Sequence, residues 1–525
     1  MEFSQKDLQQ IQKHNLTAEE VNHQLEDFEK GFPFISLCKP ATIGDGIRKY
    51  SDDQQRELID LYENSKDNYK ITKFVPSSGA ATRMMKDYYA FLSSYKDEQT
   101  TPLDNFPTIK QAIENIYEFA FVDNLQKALK KDNLSLENCL QTKDYRTIIE
   151  YIVSEKGLSY GKYPKAWIVF HKDKEDNHLT TSFEEHLKEA MRYATSRNET
   201  SLHFTITKDH LSGFEKLQKE LVPKYEKQYG VKINITFSFQ QQSTDTIAVD
   251  MENKPIYNQE GSLVFRPAGH GALINNLQTI DSDIVFIKNI DNVSSLYSDT
   301  TAKYKKLLAG VLIQTKNKVN TLITKLQQES TTEQELLSIA QTIRTNLCMP
   351  TIKDPTLFPT LTEGRNYLLG ILNRPIRVCG MVKNTGEPGG GPYFVYNNAT
   401  DMKDSEKGTN NSQDISLQIV EKAQMNVLDE EVKTLVSHST HFNPVDLVVN
   451  FKDSNGKSFL LSDYIDSKTG FITEKSFEGK QIKAMERPGL WNGAMAKWIT
   501  IFVEVPLETF TPVKTLNDLL RKEHK

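Results

Sequence analysis

Arg83, Lys165, Asp291 and Lys514 are the residues of this chain whose type and setting suit work on phosphate groups. Arg83 closes the loop of VPSSGAATRMM, where a short β-branched run gives way to a turn of small residues and then a helical pattern. In such a strand–turn–helix, backbone N–H groups can approach phosphate, and the helix N-terminus adds partial positive charge. Ser78, Gly79 and Ala80 are the close-approach candidates, Thr82 can cap the helix or meet phosphate, and Arg83 offers a fork of donors. With Gly79 as its only glycine the loop is neither a Walker loop nor a dinucleotide fingerprint, and an ordinary capped turn would read the same way. In PKAW, Pro164 fixes the backbone and leaves Lys165 at a strand edge as a mobile point charge, a place where a lysine can equally be just solvated.

The stretch FRPAGHGALINNLQTIDSDIVFIKNIDNV combines two further features. Gly269 and Gly271 permit positive φ and close approach to a flat ligand, and His270 between them can stack or hydrogen-bond. The apolar run VFIK then leads to Asp291, read as sitting at the C-terminal end of a strand, where open parallel sheets bind ligands. A carboxylate there suits Mg²⁺, which takes one or two carboxylates together with substrate phosphates. The competing reading is an Asx-turn that merely closes the strand. Near the end, FTPVKTLNDLL places Lys514 in a turn, with Asn517 and Asp518 as caps for a last short helix.

The elements that must position these residues follow from pattern. PKAWIVFHK, SLHFTITKD and INITFSFQQQ read as strands, and SFEEHLKEAMRYA and GFEKLQKELVPKYEKQYG as helices between them. That alternation predicts an α/β fold with a mainly parallel sheet. Residues 1–70 form an N-terminal helical region, in which Thr17 and Glu20 make a capping box. A core spans 71–400 with helical insertions at 98–157 and 299–350, and 401–525 is a strand-rich part that completes it. The polar run 398–414 reads as an exposed loop.

Composition narrows the partners. Sixty-four basic against 70 acidic residues give a net charge of −6, so no basic excess is available for a nucleic-acid backbone. The first residues carry no apolar run of the signal-peptide kind, and no stretch approaches the length of a membrane helix. Four scattered cysteines lack zinc or redox spacing. The expectation is a cytoplasmic protein with reduced cysteines, no membrane partner, and helical insertions free to serve a protein partner.

Taken in order, these motifs resemble the sugar-1-phosphate nucleotidylyltransferases, in particular the UDP-sugar pyrophosphorylases. The resemblance rests on Gly79, Thr82 and Arg83; Pro164 and Lys165; Gly269, His270 and Gly271; Asp291 and Asn292; and Pro512 to Thr515 with Asp518 to Leu520. Length and texture over the whole chain also resemble a bacterial family described only as a domain of unknown function. The resemblance implies a Rossmann-like, mainly parallel mixed sheet of the nucleotide-diphospho-sugar transferase type. It implies joining of a nucleoside triphosphate, with uridine as the base, to a sugar phosphate with release of pyrophosphate. Arg83, Lys165 and Lys514 would then be catalytic, Asp291 would hold Mg²⁺, and Ser78, Gly79, Ala80, Thr82, Gly269, His270 and Gly271 would bind nucleotide. Ser78 and Ala81 stand where the family has glycines, and the 98–157 segment separates Arg83 from Lys165.

The remaining expectations concern sugar and metal. Glu387, Gly389 and Gly390 in GEPGGG, with Asn492 beside Trp491, are the sugar-binding candidates, and Arg377 and Lys383 could meet its phosphate; a glycine-rich hairpin and a core tryptophan are the plain alternatives. Asp250 and Asp446 are the first residues to consider as a second metal ligand. A nucleotide-sugar-binding protein without turnover is the alternative from another class. A glycosyltransferase ranks last, because its Asp-X-Asp triplet falls only at Asp281–Asp283, before the strand.

Overall fold

The computed structural model describes residues 1–525 except 78–80, 82, 98, 173–176, 387–388, 398–413 and 443–445. Ser78, Gly79, Ala80, Thr82 and Glu387 lie outside the described residues, as does the 398–414 loop apart from Asp414. The chain is α/β, and its sheet strands pair mainly in parallel. It divides into two compact units, neither of them continuous in sequence. One comprises Met1–Thr72, Gln240–Ile287 and Lys305–Leu507, the other Lys73–Phe239, Lys288–Tyr304 and Glu508–Lys525.

In the first unit, strands Ile376–Met381 and Ile499–Glu504 run parallel, with Val378 opposite Ile501. Gly46–Arg48 continues the parallel set beside Ile499–Glu504, while Asp446–Asn450 pairs antiparallel on the other side of Ile376–Met381. Both IRVCGM and DLVVN are buried at every position, the pattern of strands covered on both faces. Helices Gln5–Lys13 and Ala18–Lys30 begin in capping boxes, the second with Thr17 and Glu20 as read from sequence. Their apolar faces, including Ile11, Val21, Leu25 and Phe28, close over Ile247, Val249, Leu263 and Met485.

In the second unit, Lys73–Pro76 lies parallel to Glu199–Ile206, which in turn lies parallel to Lys232–Phe239; Phe74 faces His203 and His203 faces Thr236. Helices Ser182–Tyr193 and Leu211–Tyr229 follow the predicted pattern. The 98–157 segment is helical, with Pro107–Glu114, Val122–Lys131, Leu136–Gln141 and Tyr145–Val153. Two local readings change. PKAW is not the start of a strand: Lys165–Trp167 make a single tight helical turn, and the strand is only Val169–Lys172. The helix after the small-residue loop begins at Lys86 with Met85 at its cap.

Candidate functional site

Within the second unit, three of the sequence motifs meet at one ammonium group. The Lys165 Nζ donates to Asp291 Oδ2 at 2.7 Å and to the Val513 carbonyl at 2.8 Å. The Lys165 and Asp291 side chains are 16% and 20% exposed, so the pair is largely screened from water yet reachable. Each partner is held from behind. Pro164 sets the entry to the Lys165 turn, and Trp167 locks it by packing against Tyr163, His210 and Phe214. A side chain at position 213 would strike the Trp167 ring at 2.2 Å, so Gly213 is what lets that ring lie flat on the helix.

Asp291 stands three residues past the strand Ile284–Lys288, and helix Ser182–Tyr193 fixes the backbone in front of it. His186 Nε2 donates to the carbonyls of Asn289 and Ile290 at 3.1 and 3.2 Å, and the Ser182 hydroxyl donates to the Ile290 carbonyl. Burial holds the His186 pKa well below its usual range, so the ring is neutral. Beneath it, the carboxylate of Glu189 receives the ammonium groups of Lys288 at 2.7 Å and Lys73 at 2.9 Å, all three fully buried. Burial pushes the Glu189 pKa up, but the two lysines outweigh it and the net shift is downward.

Asn292 joins this loop to the C-terminal segment. Its buried amide donates to the Thr509 carbonyl at 3.2 Å and accepts the Thr511 N–H at 2.8 Å, while the Val513 N–H donates to the Asp291 carbonyl at 3.0 Å. The resemblance paired Asn292 with Asp291 without a role; the structure makes it the clamp that brings Val513 to Lys165. Thr515, not Asn517, caps the last turn, and the Asp518 carboxylate accepts the N–H groups of Lys514 and Thr515. Asn517 instead ties that turn to the helical layer through Tyr88, Thr108 and Gln111.

Arg83 is exposed, and among the described residues it has no ion pair. Its loop reaches the Lys165 turn through the Ala81 N–H, which donates to the Tyr163 carbonyl at 3.3 Å. Lys514 is also exposed, with its ammonium 5.7 Å from the centre of the Phe510 ring. All these loops rest on one apolar cluster. Ala81, Met84 and Met85, Ile168 and Val169, Val293, and Val513 and Leu516 pack with the helices of the 98–157 segment.

The first unit holds the remaining candidates. Gly269 has φ +76°, and a side chain there would meet the Glu486 carboxylate at 2.8 Å; one at Gly271 would strike the Pro488 carbonyl at 2.0 Å. The glycines thus seat the turn on residues 486–488. His270 stacks on Trp491 with ring centres 4.4 Å apart, and its Nδ1 accepts the Leu490 N–H at 2.9 Å. That bond places the ring proton on Nε2, and burial lowers the His270 pKa to about 4, which keeps the ring neutral. Trp491 is half-buried, and its carbonyl accepts from Arg377 Nη1 at 3.0 Å.

The structure places the sugar and second-metal candidates as follows. Arg377 is fully buried and donates to Thr500, Trp491 and Gln418, so it braces the platform rather than facing a phosphate. Asn492 is buried and its Oδ1 accepts from the neighbouring Gly493 N–H. Side chains at positions 389 and 390 would meet Phe442 at 2.5 Å and the Val420 carbonyl at 1.9 Å, so both positions require glycine for packing. Asp446 is buried 2.6 Å from Lys305, and Asp250 closes a turn by accepting the N–H groups of Glu252 and Lys254. Asp281 and Asp283 are engaged by Lys70 and Lys452. Among the described residues no group of three or more histidine, cysteine or carboxylate side chains could hold a metal ion. No helix among them is long and apolar enough to cross a membrane.

A search of curated proteins found no match. Among solved structures, the UDP-glucose pyrophosphorylase of Leishmania major is similar over 99% of this chain and 79% of that one, at 12% identity and a TM-score of 0.44. The uridine diphosphate N-acetylglucosamine pyrophosphorylase of Trypanosoma brucei, in complex with an inhibitor, is similar over 97% and 75%, at 11% identity and a TM-score of 0.46. Residues 4–525 match the family described as Domain of unknown function (DUF4301), and the chain is a member of that family.

Proposed function

We propose that this protein is a Mg²⁺-dependent nucleotidylyltransferase that joins a nucleoside triphosphate, with uridine the expected base, to a sugar 1-phosphate. A phosphate oxygen of the sugar phosphate would bond to the α-phosphorus, the bond from that phosphorus to the bridging oxygen would break, and pyrophosphate would leave. The observation that carries the reading is the meeting of Lys165, Asp291 and Val513, residues of three separate motifs, around one cationic centre. In-line transfer of this kind needs positioning and neutralisation of charge more than proton transfer.

The oxygens present fit a hard cation, since a carboxylate and a backbone carbonyl are ligands that Mg²⁺ accepts. Asp291 and the Val513 carbonyl would hold the ion, and the chemistry it would supply there is neutralisation of phosphate charge. Lys165 supplies a point charge to the phosphate under attack, and the exposed guanidinium of Arg83 offers a fork for the departing pyrophosphate. Lys514, exposed on a backbone pinned by Asp518, supplies a further ammonium for the sugar phosphate. Within the first unit, and taken by itself, the His270–Trp491 pair is a flat, neutral surface of the kind on which a nucleobase stacks, with a hydrogen donor at Nε2.

The test is a panel of nucleoside triphosphates and sugar 1-phosphates with Mg²⁺, read by pyrophosphate release. At least one pair should turn over, and Asp291→Ala should lower the rate roughly 100-fold or more, by comparison with loss of a single transition-state contact. Turnover untouched by Asp291→Ala would remove the mechanism. One observation favours a second reading: the Ala81 N–H is already bonded to Tyr163 rather than available to phosphate. Calorimetric binding of a nucleotide sugar with no pyrophosphate from any pair would make this a nucleotide-sugar-binding protein.

A further inference from the structure

We propose that Lys165 and a divalent cation compete for the same oxygen pair, so that the free protein binds metal weakly until its lysine is drawn away by a phosphate. The inference rests on the nucleotidylyltransferase reading and adds an order of events to it. Lys165 Nζ lies 2.7 Å from Asp291 Oδ2 and 2.8 Å from the Val513 carbonyl, so one positive centre already bonds both oxygens. Those two oxygens are the local donors suited to Mg²⁺. A cation placed between them would occupy the position of the ammonium itself.

The arrangement is not an accident of a loose side chain. Lys165 is anchored by Pro164 on one side and the buried Ala166 on the other, and its turn is fixed by Trp167. Asp291 is held through its own carbonyl to the Val513 N–H, and Val513 is fully buried. The oxygens are therefore preset, and the mobile member is the lysine side chain. A lysine carries a compact charge on a flexible stem and transfers readily to a stronger anionic partner. A triphosphate offers several anionic oxygens in place of one carboxylate oxygen and one carbonyl. When Lys165 moves to phosphate, Asp291 and the Val513 carbonyl become free for the metal, so the cation is admitted together with nucleotide.

The experiment is titration of Mn²⁺ alone into the full-length protein, followed by the electron paramagnetic resonance signal of free Mn²⁺. Wild type, Lys165→Met, Lys165→Arg and Lys165→Met/Asp291→Asn are compared, each first shown to be folded by circular dichroism. Lys165→Met should bind Mn²⁺ at least about tenfold more tightly than wild type, because the like charge is gone. Lys165→Arg should stay close to wild type, and the double variant should lose the gain. Equal Mn²⁺ affinity in wild type and Lys165→Met, abolished in both by Asp291→Asn, would overturn the competition while leaving Asp291 as a metal ligand. A gain in Lys165→Met that survives Asp291→Asn would place the metal elsewhere and overturn both this inference and the metal role assigned to Asp291. No binding to Lys165→Met would do the same.

Discussion

His203 and His524 show how individual residues of the second unit depend on pH. His203 is buried against Phe74 and bonds the hydroxyls of Thr236 and Ser238. Burial lowers its pKa to about 4. His524 is buried beside His171, and burial, helped by that neighbour, takes its pKa to about 3. An unfolded chain protonates histidine near its ordinary value of about 6.5, whereas the folded chain resists until pH 4 or below. Between those limits the unfolded state holds more protons, so stability is full above about pH 6.5 and falls as the pH drops toward 4. For His203 alone the loss should approach about 3 kcal/mol. Thermal midpoints measured at pH 7.5 and 4.5 should therefore fall less between the two pH values in His203→Gln than in wild type. An identical fall in both would show that the ring takes up its proton in the folded state without penalty.

At the scale of elements, the 98–157 helices matter because they form the floor under the catalytic candidates. Phe121 is fully buried, stacks on Phe119 at 4.7 Å and meets Tyr160 edge-on at 5.2 Å. The same cluster contains Val293, Val513 and Leu516, which flank Asp291 and Lys514. Phe121→Ala should cost about 3–5 kcal/mol locally. Amide exchange should then speed up at residues 289–293 and 511–516, although neither segment is mutated. Faster exchange confined to 107–153 would mean that the helical layer supports only itself.

Element-level reading from sequence succeeded where pattern and local chemistry agreed. The Thr17–Glu20 capping box, the alternation after residue 158 and the helical face of 98–157 each leave a periodic trace. PKAW misled because an apolar run beginning with Pro-Lys looks like a strand start, whereas Trp167 seeks an aromatic pocket built by Tyr163, His210 and Phe214. Arg377 misled for a related reason. An arginine beside a glycine-rich stretch suggests phosphate, yet here a buried strand position is satisfied by neutral oxygens of Thr500, Trp491 and Gln418.

The whole molecule carries a net charge of −6, so attraction of a polyanion has to come from local groups and not from the overall field. The candidate site shows how far sequence could go toward locating them. Each motif was visible by its own residue types, but the bond between Lys165 and Asp291 spans 126 positions and that between Lys165 and Val513 spans 348. No local signal carries such pairings. His186, which sets the carbonyls before Asp291, reads in sequence as one polar residue on an amphipathic helix. Trp491 and His270 are each legible as stacking candidates, but that they stack on each other is not.

The most direct measurement is a crystal soaked with UTP and Mn²⁺, with the metal located by its anomalous scattering. The account predicts a single strong peak at coordination distance from the Asp291 carboxylate, touching triphosphate oxygens, with Lys165 turned from Asp291 onto phosphate. A nucleotide bound with its metal away from Asp291, and Lys165 still on that carboxylate, would contradict it.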